Sequence, residues 1–121
     1  MANLFIPQAG FSTFNALAPV TVTQAAGAAG WIADVDVSGS LPAACAGHYC
    51  LFLVGANVAG AATQNAGIRD VDIAEDTKIT VGNFSGGYGY TALIAKISST
   101  RTVDLYREAT NNLYIFMGYF S

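Results

Sequence analysis

From Trp31 onward, hydrophobic and polar positions alternate with a period of two. In Trp31-Ile32-Ala33-Asp34-Val35-Asp36-Val37, the residues Trp31, Ala33, Val35 and Val37 fall on one side and Asp34 and Asp36 on the other, the pattern of a half-buried strand. Ser38-Gly39-Ser40-Leu41-Pro42 ends it. Tyr49 to Val54 is apolar on both faces and belongs in the middle of a sheet or beneath a neighbour. Gly55 to Gly67 reads as a loop, Ile68 to Ile73 alternates again, and Thr77 to Val81 makes a short strand. Tyr88 to Ile97 sets Tyr88, Tyr90, Ala92, Ile94 and Lys96 on one face and Leu93, Ala95 and Ile97 on the other. Ser98-Ser99-Thr100 turns the chain into a strand over Thr102 to Glu108. The last strand, Leu113 to Phe120, is apolar on both faces except at Gly118. With Pro19 to Thr23, this predicts about eight short strands and no amphipathic helix. The expected fold is all-β, an antiparallel β-sandwich that is jelly-roll-like; periodicity alone does not separate a jelly roll from an immunoglobulin-like topology.

The first 30 residues carry no charge. Phe5, Phe11, Phe14 and Leu17 are spread among Gly, Ala, Ser and Asn, and Ala25 to Gly30 is too small and flexible to build a core alone. The expected division is an extended N-terminal arm and first strand over 1–30, with the β-sandwich domain over 31–121. Within it, residues 1–18 read either as an arm ordered by neighbours or as a first strand plus loop of the same domain.

Charge poverty sharpens this picture. Five basic and eight acidic residues make up 11% of the 121 residues, while 53% are hydrophobic; ordinary soluble domains carry about 25% charge. A monomer of this size exposes roughly 6,000 Å², most of which must be small, neutral or apolar. Monomers seldom leave large apolar patches bare, so the chain reads as an assembly subunit. The net charge of −3 gives no footprint for nucleic acid. The run Tyr49 to Ala62 falls short of the roughly 20 residues a membrane span needs, and no secretory leader is visible. Neither nucleic acid nor membrane is expected as a partner.

Candidate chemistry is sparse, and no enzyme and no cofactor are expected. His48 sits in a turn before a strand with no partner carboxylate nearby in sequence. Phe84 to Gly89 lacks the Lys-Ser/Thr and the helix of a phosphate loop. Cys45 and Cys50 read as two reduced thiols, with a local disulfide as the alternative; a zinc site lacks further ligands. Asp34, Asp36, Asp70 and Asp72 form two Asp-x-Asp pairs, weak calcium candidates whose side chains would lie about 6.6 Å apart along a strand. Tyr88 and Tyr90, beside the glycine-rich tip, are weak candidates for stacking on a glycan.

The stretch Gly30-Trp31 followed by Asp36 to Ala43, the apolar strand Tyr49–Val54 and the ending Met117-Gly118-Tyr119-Phe120 resemble β-sandwich virion proteins of tailed bacteriophages. These include capsid decoration (cement) proteins and tail-fibre tips. The likeness runs over residues 30 to 120, and the Cys45–His48 insertion departs from its usual spacing. It brings no shared catalytic residues. It implies a symmetric virion subunit, a homo-oligomer of trimeric or other closed symmetry. The expected function is therefore a capsid decoration subunit that stabilises the shell through apolar contacts, located in the virion, with its own copies and the major capsid protein or other virion subunits as partners. The alternative is a receptor- or carbohydrate-binding module of tail-fibre type. Phe5, Phe11 and Phe14 of the arm, with Leu113, Ile115 and Phe116 of the last strand, are the expected interface residues.

Overall fold

The computed structural model describes residues 13–24, 27–57, 64–73, 79–81, 88–107 and 112–121. They form eight strands: β1 (Phe14–Gln24), β2 (Gly30–Asp36), β3 (Tyr49–Asn57), β4 (Gln64–Arg69), β5 (Ile79–Val81), β6 (Tyr88–Lys96), β7 (Thr102–Arg107) and β8 (Asn112–Phe120). One 3-10 turn, Ala43–Cys45, interrupts the β2–β3 connection. No helix among the described residues is long and apolar enough to cross a membrane.

The strands pair β1 with β8, β2 with β7, β3 with β6 and β4 with β5, all antiparallel. This is one long hairpin rolled over. β3 also pairs with β8, and β4 with β7. The result is two four-stranded sheets, β1-β8-β3-β6 and β2-β7-β4-β5. That order is a jelly roll and not the ABED/CFG arrangement of an immunoglobulin domain. The first sheet is called sheet 1 below, the second sheet 2.

The core lies between them. Phe52, Val54, Tyr114, Phe116 and Ala95 of sheet 1 meet Ala66, Ile68, Val103 and Leu105 of sheet 2. Val37, Leu41, Cys45, Cys50 and Ile97 plug one end. Both cysteines are free and buried, and burial pushes both thiols upward from their ordinary pKa. Phe14 to Ala18 belong to β1, whose ladder with β8 starts at Phe14 opposite Phe120. For residues 14–18 this is the first-strand reading rather than the arm, while residues 1–12, with Phe5 and Phe11, lie outside the described residues. Gly118 makes this pairing possible, since a Cβ there would overlap the Asn15 carbonyl and the Phe14 ring.

At the opposite end, a polar clamp joins the sheets. Asn112 is fully buried on β8. Its Nδ2 donates to the Tyr106 carbonyl at 2.7 Å and to the Asn65 carbonyl at 3.3 Å, both in sheet 2. The Tyr114 hydroxyl donates to the same Tyr106 carbonyl. Burial raises the Tyr114 phenol from 10 to about 12. Below pH 10 the phenol is neutral folded and unfolded, and its stabilising effect is complete. Above pH 10 the unfolded chain ionises first, so stability falls by roughly 2–3 kcal/mol until pH 12. The raised thiols act in the same direction from about pH 9. Urea unfolding at pH 8, 10 and 11 is expected to show this decline. Tyr114→Phe should cost about 1 kcal/mol at pH 8 and flatten the alkaline slope; a slope as steep as that of the wild type would refute the assignment.

Candidate functional site

In an antiparallel sheet with one face in water, apolar residues point in and polar residues point out. Sheet 1 breaks that rule. Along β8, Asn112, Tyr114, Phe116 and Gly118 are buried, and the alternate residues Leu113, Ile115 and Met117 point outward, half-buried. On β3 the inward set is Cys50, Phe52 and Val54, and the outward pair is Leu51 and Leu53. On β6 the outward residues are Tyr90, Ala92, Ile94 and Lys96, all exposed.

Register places these side chains in continuous rows. Thr21, Ile115, Leu53 and Ala92 line up across all four strands, and Leu51 stands opposite Ile94. Lys96, at the end of β6, is the one charged residue on the four strands of this sheet. The chain's few charges are thus partitioned. Among the described residues, sheet 2 and the connections hold every charge but Lys96, and the outer surface of sheet 1 is an aliphatic plane. Ile94, at 48% exposed, and Tyr90, at 43%, stand out most.

Sheet 2 covers its own outer face. Trp31 and Tyr106 meet edge to face at 5.4 Å between ring centroids. The Arg69 guanidinium lies 4.1 Å over the Trp31 ring and donates to the Asp104 carboxylate at 3.1 Å. The other Asp104 oxygen accepts from the Asp34 amide at 3.0 Å. Asp104 is 3% exposed and Tyr106 9%. This face is sealed by a stack and an ion pair from within the chain.

The expected sites fall differently from the sequence reading. Leu113 and Ile115 lie on the outer plane, but Phe116 is wholly buried against Phe52, with ring centroids 5.6 Å apart, and is a core residue, not an interface residue. Phe14 is 41% exposed and tilted against Phe120 at 5.0 Å. Trp31 does not share a face with Val35 and Val37. A register break between Ile32 and Val35 shifts the strand's parity, and Asp34 takes up the extra residue at φ 54°. Ile32 rather than Trp31 therefore lies on the side of Leu105, its ladder partner.

The Asp-x-Asp pairs are not set as strand-borne ligands. Asp34 lies in the β2 bulge. The Asp36 carboxylate accepts from the Ser38 amide at 2.9 Å, and hydrogen bonds from Ser38 hold its pKa below the usual value. Asp70 and Asp72 follow β4 in a turn, since the ladder ends at Arg69 although the alternation of 68–73 runs on past it. Asp70 Oδ1 accepts from the Lys96 amide at 2.6 Å. Among the described residues, no three His, Cys, Asp or Glu side chains gather where they could hold a metal ion. An open cleft of about 380 Å³ lies here, lined by Asp70, Asp72, Lys96, Ser98, Ser99 and neighbours. His48 packs its ring against Tyr119 at 5.6 Å. Tyr90 is exposed on the outer plane; Tyr88 opens β6 opposite Asn57, and its side chain lies outside the described residues, as does the glycine-rich tip.

Sequence reasoning missed Leu51, Leu53 and Met117 as surface residues. The available signal was that β3 and β8 are apolar on both faces; only one of those faces can meet sheet 2. Comparison with protein-family models, with curated proteins and with solved structures returns no match to this chain.

Proposed function

We propose that the chain is a structural subunit of a virus particle, a capsid decoration (cement) protein that acts by adhesion. The observation that carries this reading is the aliphatic plane on the outer side of sheet 1, with its single charge at one margin. Four strands of about nine residues span roughly 30 by 19 Å, or about 570 Å². At about 25 cal/mol per Å², covering that plane supplies on the order of 14 kcal/mol before association costs of similar size. A jelly roll suits this use, since viral shells are built from it, though lectins are too. The resemblance to tailed-phage virion sandwiches supports a homo-oligomer, of trimeric type, seated on the shell.

Light scattering tests the assembly. At micromolar concentration the mass should be at least twice the 12.5 kDa of one chain, and an antibody against the chain should label intact particles. A monodisperse monomer with no particle labelling would overturn the proposal. The exposed Tyr90 favours a second reading, a carbohydrate-binding virion module; specific binding on a glycan array that disappears in Tyr90→Ala would select it.

A further inference from the structure

Each sheet edge is a row of main-chain groups that can template pairing, and folded proteins blunt such edges with bulges, prolines, charges or short length. Among the described residues, three of the four edges are blunted in those ways. β1 carries Pro19 inside a register break between Ala16 and Val20. β2 carries its own break, with Asp34 and Asp36 beside it. β5 has three residues. β6 differs from all of them. It keeps register with β3 over nine consecutive pairs, contains no proline, and has its one charge, Lys96, at the last position.

The direction of its main-chain groups follows from two hydrogen bonds. The Ile97 amide donates to the His48 carbonyl, toward β3, at 3.0 Å. The Lys96 amide donates the other way, to the Asp70 carboxylate. In an antiparallel ladder these directions alternate, so the amides and carbonyls of Ala92 and Ile94 face away from β3, along the open edge. Among the described residues, Asp70 caps this edge at Lys96, and the exposed Ala92 and Ile94 lie beyond that cap.

We infer that two copies of this chain join β6 to β6, antiparallel, about a two-fold axis through Ala92. The register is self-complementary. With Ala92 opposite the partner's Ala92, Tyr90 falls opposite the partner's Ile94, and Ile94 opposite the partner's Tyr90. Those are the two most exposed large apolar side chains among the described residues, and each covers the other as an aromatic–aliphatic cross-strand pair. The join merges two sheets into one of eight strands and makes the two aliphatic planes continuous. It also adds area where the plane alone, at about 570 Å², falls short of the roughly 800 Å² a side of a standard interface. The inference holds wherever the chain works, on a particle or elsewhere.

Cross-linking tests the register. Residues opposed in a hydrogen-bonded pair have Cα atoms about 5.5 Å apart, within disulfide range, and the native thiols are buried. With diamide as oxidant, Ala92→Cys should give a linked species of twice 12.5 kDa as the dominant product, while Ser99→Cys on an exposed turn should not. Ala92→Pro removes an edge donor without touching the ladder to β3, a place where proline is tolerated, and should halve the mass in solution. Linking of Ala92→Cys no greater than that of Ser99→Cys, or wild-type mass in folded Ala92→Pro, overturns the two-fold pairing; should the proline variant misfold, the cysteine pair decides alone. Failure of the aliphatic plane as an interface would show separately, as an unchanged mass in Ile115→Asp.

Discussion

Phe116→Asp is expected to yield no folded protein, whereas Ile115→Asp is expected to fold and to assemble to a smaller mass. The two residues are neighbours on β8 and both are strongly apolar, but they point to opposite sides of sheet 1. Phe116 is fully buried between the sheets against Phe52. Losing its ring costs about 3–5 kcal/mol, and a carboxyl group placed there without a partner costs several more. Together these consume most or all of the roughly 5–15 kcal/mol that holds a domain folded. Ile115 lies half-buried on the outer plane between Thr21 and Leu53. An aspartate there reaches water in the isolated subunit, so the fold loses on the order of 1 kcal/mol. In an assembly the same carboxylate would be enclosed by apolar side chains without a counter-ion. Circular dichroism should report native strands for Ile115→Asp and none for Phe116→Asp, and light scattering should report a smaller mass for Ile115→Asp. Wild-type mass in that variant would remove the outer plane from the account of assembly.

Arg69→Met is expected to destabilise the domain by about 3–5 kcal/mol, the range for breaking a buried ion pair from one side. The loss comes mainly from what is left behind. Asp104 is 3% exposed, its Oδ2 is held by Arg69 and its Oδ1 by the Asp34 amide. Without the guanidinium, the carboxylate is enclosed with one amide as compensation. The methionine side chain would still lie along the Trp31 ring, so packing is largely kept and the electrostatic part is isolated. Adding Asp104→Leu should recover a large share, since replacing both members of a buried pair is often close to neutral. Recovery will be incomplete because the Asp34 amide then lacks its acceptor. Urea unfolding of the two single variants and the double variant measures this directly. A loss below about 1 kcal/mol for Arg69→Met would mean the pair behaves like a surface salt bridge.

Much of the architecture is written in the chain's alternation. β6 shows this best: over Tyr90 to Ile97 its two faces are those read from the alternation, because a strand of unbroken period two has one inward face. β3, apolar on both sides over Tyr49 to Val54, is recognisable as a central strand, since neither of its faces suits water. Where register breaks, the reading fails. The bulge at Asp34 turns Trp31 outward, toward Arg69 and Tyr106, and a local alternation holds no record of an extra residue that only the partner strand β7 reveals. The loop assigned to Gly55–Gly67 likewise contains the end of β3 and the start of β4, since Ala, Gly and Asn have weak strand preference and are held there by their neighbours.

Composition alone determined that this protein carries few charges, 11% of its residues, and periodicity alone determined that it is built of strands. Only the tertiary structure decided where the bare surface lies. Two strands that are greasy on both sides can each turn just one side to the core, and which side it is depends on long-range pairing, not on any neighbour in sequence. Placing β8 and β3 together at the centre of one sheet left Leu113, Ile115, Leu51 and Leu53 on a common outer plane and, among the described residues, every charge but Lys96 on the other sheet and the loops.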